Sequence, residues 1–138
     1  MKYPILMSII ALMLTFSCTK KGVDDSTLTV SGGRAVIPWQ DCAVFTDHDM
    51  TICFVNAKEY RCPCDVNCIW EGAVDATLRV TTTTGIDTTI TLTTNSDPAT
   101  LPSTATIDGK LIRFVNTDAV TCSDYESYEK YKVVIEVE

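Results

Sequence analysis

From residue 27 onward, apolar and polar residues alternate with a period of two in one segment after another. In Met50 to Asn56, for example, Ile52 and Phe54 share one face, and in Tyr131 to Val137 every second residue is apolar. This alternation is typical of β-strands that bury one face. Eight segments have this character: 27–31, 35–37, 42–45, 50–56, 76–81, 88–93, 111–115 and 131–137.

Turn residues separate these segments, notably Gly32-Gly33, Gly85 and Asp108-Gly109. Apolar residues at helical spacing are missing after the N-terminal segment, beyond one short turn at 124–130. Short strands with turns between them predict an all-β fold, an antiparallel β-sandwich of about eight strands with an immunoglobulin-like or jelly-roll-like arrangement. A small β-barrel is the alternative.

Threonine is concentrated between Thr77 and Thr106, where it occupies 13 positions. Because threonine is β-branched, a threonine-lined outer face of a hairpin explains this composition. A surface that contacts carbohydrate or is glycosylated is the alternative. Ser26 and Thr88 each stand between an aspartate and a threonine, which resembles the O-glycan acceptor of Bacteroidetes.

The first 17 residues differ from the rest: Lys2 precedes an apolar run over 5–16. A membrane-spanning helix needs about 20 such residues, so this run fits a secretory signal peptide. Leu14 to Cys18 resembles a bacterial lipobox, in which the cysteine is diacylated and becomes the first mature residue, although Thr15 stands where leucine is usual. Cleavage near Ser17 without lipidation is the alternative.

We therefore divide the chain into a lipoprotein signal peptide (1–17), the lipidated Cys18 with a flexible tether (18–26) and one β-sandwich domain (27–138). Two acyl chains are enough for stable attachment to a lipid bilayer. We expect an exported protein, anchored to the outer membrane and facing the periplasm or the cell surface. The net charge of -7 argues against a nucleic-acid partner, because neutralising phosphates requires clustered Lys and Arg.

An even number of cysteines in an exported chain predicts disulfides. After Cys18, the cysteines are Cys42, Cys53, Cys62, Cys64, Cys68 and Cys122. Cys62 and Cys64 are too close to bridge without strain, so Cys62–Cys68 is the favoured pair, and the pairing of the other four is left open. Cysteines crowded into one loop do not suit a structural zinc site, which takes its ligand pairs from two loops. We expect neither a metal nor a cofactor.

The stretch from Arg61 to Gly72 reads Arg-Cys-Pro-Cys-Asp-Val-Asn-Cys-Ile-Trp-Glu-Gly. It resembles the Arg-Cys-Pro…Cys-Ile/Val-Trp-x-Gly signature of small uncharacterised Bacteroidetes-type lipoproteins, and the resemblance covers residues 34–80. The resemblance implies an exported β-sandwich with a disulfide-closed loop and implies no activity. Pro63 and the disulfide would stiffen this loop, and Gly72 suits a turn with positive φ.

Two roles are open for this loop. Four polar residues could form a recognition surface: Arg61, Asp65, Asn67 and Glu71. The alternative, which we favour, is a structural element that holds the two sheets together.

Catalytic motifs are missing from the sequence. The one histidine, His48, lies in Thr46-Asp47-His48-Asp49, which is typical of a polar turn. Nucleophile elbows, phosphate loops and zinc-protease motifs are not found. We therefore expect a non-enzymatic binding or envelope-interaction module with an unknown protein or carbohydrate ligand. A disulfide-loop protease inhibitor and a small carboxylate-based hydrolase are the alternatives.

Overall fold

A computed structural model describes residues 27–62, 66–69, 72–95, 101–117 and 130–138. These residues form nine strands, and a short 3-10 turn at Thr46–His48 connects the third strand to the fourth. The strands are β1 (Leu28–Val30), β2 (Arg34–Pro38), β3 (Cys42–Phe45), β4 (Met50–Glu59), β5 (Val74–Thr82), β6 (Asp87–Thr93), β7 (Thr104–Ile107), β8 (Lys110–Thr117) and β9 (Lys132–Val137). The predicted all-β class is confirmed.

The strands form a five-stranded sheet in the order β1-β3-β4-β5-β6 and a four-stranded sheet in the order β2-β9-β8-β7. Strands β3 to β6 make one antiparallel meander and β7 to β9 make a second. Strand β1 pairs in parallel with β3, since the chain passes through β2 in the other sheet between them. The predicted β-sandwich is confirmed, and the described strands do not close into a barrel.

The alternating residues of both sheets pack into one core. The faces predicted for Ile52 with Phe54 and for Leu78 with Val80 are fully buried, and so are Val133 and Ile135 on β9. Burying a side chain of this size stabilises the fold by about 1.5–3 kcal/mol. The largest fully buried side chains are Tyr131, Phe45, Phe54, Ile37, Met50, Ile52, Leu78, Leu92, Ile112 and Ile135.

Strand β7 was not among the predicted strands. Its sequence, Thr-Ala-Thr-Ile, has only one large apolar residue, Ile107, and the strand lies at the edge of its sheet with its other residues partly or fully exposed. The turn that follows was predicted: Asp108 and Gly109 both have positive φ, at 53° and 74°, as a two-residue hairpin turn requires.

Threonines of the β5–β6 hairpin line the outer face of the five-stranded sheet, as predicted. Thr77 lies opposite Thr91, and Thr89 lies opposite Arg79. Thr82 differs, because it is buried and its hydroxyl contacts both the Thr84 hydroxyl and the backbone N–H of Ile86. Most of these threonines therefore need no binding role to explain them.

The two ends of the sandwich differ in their connections. At one end, here called the turn end, lie the 3-10 turn, the β5–β6 turn at Gly85 and the β7–β8 turn at Asp108. The Thr84 hydroxyl donates a 3.0 Å hydrogen bond to Asp108 there and so joins two of these turns. At the opposite end, here called the loop end, β4 ends at Glu59 opposite the start of β5 at Val74.

Candidate functional site

Arg61 begins the cysteine loop at the loop end and contacts Glu59, the last residue of β4. Its Nε and Nη2 donate to the two carboxylate oxygens of Glu59 at 2.7 and 2.5 Å, and its backbone N–H donates to the same carboxylate at 2.9 Å. The Glu59 side chain is only 4% exposed. Bidentate pairs of this kind are among the stronger hydrogen bonds in proteins. The guanidinium of Arg61, a predicted recognition residue, is therefore paired with a buried carboxylate.

Tyr131 adds a contact from the other sheet. It immediately precedes β9 and is fully buried, and its hydroxyl donates to Oε2 of Glu59 at 2.7 Å. Because Glu59 belongs to the five-stranded sheet, this hydrogen bond joins the two sheets at the loop end. The contact supports the structural role that we favoured for the start of the loop.

The charge states of these groups depend on one another. Burial raises the pKa of Glu59, but the hydrogen bonds from Arg61 and Tyr131 outweigh it, so the pKa lies below its ordinary value. Burial raises the pKa of Tyr131 well above its ordinary value, and its bond to the Glu59 carboxylate adds to this. The hydrogen bond to Glu59 raises the pKa of Arg61. The arrangement is therefore an ionised carboxylate with a neutral tyrosine.

Gly72 closes the other side of the loop. Its φ is 75°, and a Cβ at this position would overlap the carbonyl oxygen of Tyr60 and the Cα of Arg61. Directly beside it, the Tyr60 N–H donates to the Ala73 carbonyl at 2.8 Å. The prediction that Gly72 occupies a position of positive φ is confirmed, and the close backbone approach is a second reason for glycine here.

Between these anchoring contacts, Cys62 and Cys68 form a disulfide, the pair that the spacing favoured. The second disulfide joins Cys42 on β3 to Cys53 directly opposite on β4, which decides one of the pairings left open. The remaining two cysteines, Cys64 and Cys122, lie outside the described residues.

Among the described residues of the loop, the exposed side chains are mainly apolar. Ile69 is fully exposed, and Val66 and Tyr60 are 51% and 48% exposed. Of the other polar recognition candidates, Asn67 is exposed, and Asp65 and Glu71 lie outside the described residues. The predicted recognition residues are all polar, and Ile69 is not among them. A signal was present: Ile69 follows a disulfide cysteine and lies outside every alternating segment.

The other predicted positions lie apart from this loop. His48 ends the 3-10 turn, which confirms the predicted polar turn, and Asp49 follows with φ of 51°. Thr88 is half-buried opposite Val80, on the face that Leu92 shares. Cys18 and Ser26 lie outside the described residues. Within the described ranges, no three His, Cys, Asp or Glu side chains come together as a metal site.

A pocket of about 380 Å³ opens at the turn end, on the outer side of the five-stranded sheet. Its polar lining consists of threonine hydroxyls and one carboxylate, Asp49, which could hydrogen-bond a small polar molecule. The lining residues are Val44, Phe45, Thr46, Asp49, Met50, Thr51, Thr81, Thr82 and Thr83.

The two disulfides indicate an oxidising, exported environment. In the part of the chain that the structure describes, no helix has the length and hydropathy of a membrane span. Comparisons with protein-family models, with curated proteins and with solved structures found no match. A function for this chain therefore has to be proposed from its own sequence and geometry.

Proposed function

We propose that this protein is an exported, lipid-anchored binding module without catalytic activity, and that it makes contact through the loop end. The observation that carries the proposal is the exposed stretch of Val66, Asn67 and Ile69, next to a loop start whose side chains are internally paired. Exposed apolar residues gathered on one surface mark interaction sites in soluble proteins. We name this stretch, together with Tyr60, the contact loop.

Restraint of the contact loop supports a binding role. The Cys62–Cys68 disulfide encloses Val66 and Asn67, the Glu59–Arg61 pair holds the residue after Tyr60, and Gly72 packs against the backbone of Tyr60 and Arg61. A segment that is ordered before binding loses little conformational entropy on association.

The lipid anchor is supported by the sequence at the N-terminus. An apolar run over 5–16 ends at Cys18, and the polar residues 19–26 provide a short tether. Diacylation of Cys18 would attach the domain stably to a bilayer. Attachment through lipid suits a chain with net charge -7, which has no electrostatic attraction to an anionic membrane.

The intact and peptide-mapped mass of the protein, purified from bacterial membranes without reductant, tests the anchor. We expect a diacylated N-terminal Cys18 and intact Cys42–Cys53 and Cys62–Cys68 disulfides. A chain that keeps residues 1–17, or begins elsewhere without lipid, would contradict the anchor. A broad panel of hydrolase substrates tests the rest, and turnover that a single substitution abolishes would contradict a non-enzymatic role.

A protease inhibitor is the second candidate. The observation that favours it is an exposed isoleucine beside a disulfide in a restrained loop, because such a loop can bind a protease and resist cleavage. Titration of elastase-type proteases with the wild-type protein and with Ile69→Asp tests this. Inhibition that Ile69→Asp removes and Ile86→Asp, at the turn end, leaves intact would support it. Rapid cleavage within the loop would exclude it.

A further inference from the structure

We propose that the partner of the contact loop is the lipid bilayer that carries the anchor, and that Ile69, Val66 and Tyr60 lie among the lipid headgroups. The domain would then stand with its loop end on the membrane and its turn end outward. This inference rests on the lipid anchor of the proposed function.

The direction of β1 supports this orientation. Leu28 lies beside Ala43 and Val30 beside Phe45, so β1 runs toward the turn end. The chain therefore enters β1 at Leu28 from the side of the loop end. A lipid attached to that chain places the bilayer on the same side as the contact loop.

The length of the tether agrees with this placement. Leu28 and Ile52 lie at the same height in the sheet, because both pair with Ala43. From Ile52 to Glu59, at the loop end, strand β4 rises by about 23 Å. From Cys18 to Leu28 the chain can span at most about 33–36 Å when extended. Fully extended, the tether would let Cys18 reach about 10–13 Å beyond the level of Glu59, so it is long enough for this placement.

The exposed side chains at the two ends favour the same orientation. The contact loop presents Ile69 fully exposed and Val66 half exposed. The turn end presents one exposed apolar side chain, Ile86 at 38%, and four exposed aspartates, of which Asp87 is paired with Arg79; the others are Asp47, Asp49 and Asp108. Apolar side chains gain free energy on entering the headgroup and acyl boundary, whereas carboxylates lose hydration there.

The contact is apolar and not electrostatic. The chain has a net charge of -7, and the Arg61 guanidinium is paired with Glu59. We therefore expect the contact loop to bind a zwitterionic surface such as phosphatidylcholine, and to bind more weakly when anionic lipid is added. The turn-end pocket, lined by Thr46 and Thr81 among others, would face away from the membrane and remain open to solutes.

Tryptophan quenching by brominated lipid tests the orientation in the full acylated protein, reconstituted into phosphatidylcholine vesicles. The parent protein gives the baseline from its own tryptophans, and the two matched variants are Ile69→Trp at the loop end and Ile86→Trp at the turn end. A side chain seated about 5–10 Å into the interface meets the bromine atoms, so we expect at least about twofold more added quenching for Ile69→Trp. Val66→Trp repeats the measurement if Ile69→Trp does not fold.

The outcomes separate this inference from the proposed function. If mass spectrometry finds Cys18 without lipid, the anchor is absent and both proposals are overturned. If Cys18 is acylated but Ile69→Trp and Ile86→Trp are quenched equally, or Ile86→Trp more strongly, only the orientation is overturned. The contact loop would then face a protein partner instead of the lipid.

Discussion

The Tyr131 hydroxyl donates a 2.7 Å hydrogen bond to the Glu59 carboxylate, although Glu59 ends a strand of one sheet and Tyr131 precedes a strand of the other. Glu59 also accepts from Arg61, the first residue of the cysteine loop. One buried carboxylate therefore connects the loop to both sheets, and a change at Glu59 should affect all three together.

Glu59→Gln should destabilise the domain, because it leaves the Arg61 guanidinium beside a neutral amide. Hydrogen bonds to charged groups contribute about 1.5–3 kcal/mol, and we expect a loss in that range in urea unfolding. Glu136→Gln is the matched control, since Glu136 forms an exposed ion pair with Arg34 and should cost about 0–1 kcal/mol. Equal losses for the two variants would contradict the importance of the buried pair.

The lowered pKa of Glu59 predicts a loss of stability in acid. A carboxyl whose pKa is lower in the folded state stabilises the fold above its ordinary value, here 4.5, and this contribution is lost as the pH falls through the lowered pKa. The difference in melting temperature between wild type and Glu59→Gln should therefore shrink below about pH 4.5. A difference that stays constant through this range would count against the assignment.

The raised pKa of Tyr131 predicts a separate loss of stability in alkali. A group whose pKa is raised on folding stabilises the fold below its ordinary value, here 10.0, and this contribution decreases as the pH rises above it. The melting temperature, measured from neutral pH upward, should fall above pH 10.0 for the wild type and should fall less steeply for Tyr131→Phe. Parallel curves would show that another group is responsible.

Gly72→Ala and Gly85→Ala together separate two reasons for a glycine: a positive φ, and a backbone too close to leave room for a Cβ. Both positions have positive φ, at 75° and 97°, but only at Gly72 would a Cβ overlap the backbone of Tyr60. Gly85→Ala should cost about 1–2 kcal/mol from the left-handed conformation alone. Gly72→Ala should exceed about 4 kcal/mol in denaturant unfolding, because backbone has to move. Similar losses in the free energy of unfolding would mean that the Tyr60 backbone moves aside with little strain.

Much of the fold follows from local patterns. The period-two alternation placed Ile52, Leu78 and Val133 on buried faces, since a strand with one face in the core requires it. Gly72 and the Cys62–Cys68 pair were likewise predictable, because backbone conformation and disulfide reach depend on a few neighbouring residues. The edge strand β7 was missed, since only Ile107 of its residues is buried.

The candidate site was harder to predict. Glu59 ends one strand and Tyr131 precedes another, and no alternation within either segment indicates that their side chains meet. Their contact depends on how the two sheets stack, which is a property of the whole core. Arg61 is a predicted recognition residue whose guanidinium is instead paired with Glu59, only two positions away, and the alternation of a strand does not indicate such a pair.

Strand β9 pairs with β2 on one side and with β8 on the other. Strand β2, near the start of the domain, has only β9 as its neighbour in the four-stranded sheet, so this sheet cannot be completed until the last strand is available. During export the chain emerges from its N-terminal side, and the domain would remain incompletely folded until β9 has also crossed. Until then β2 and β8 lack the neighbour that they share in the finished sheet, and their edges stay unpaired.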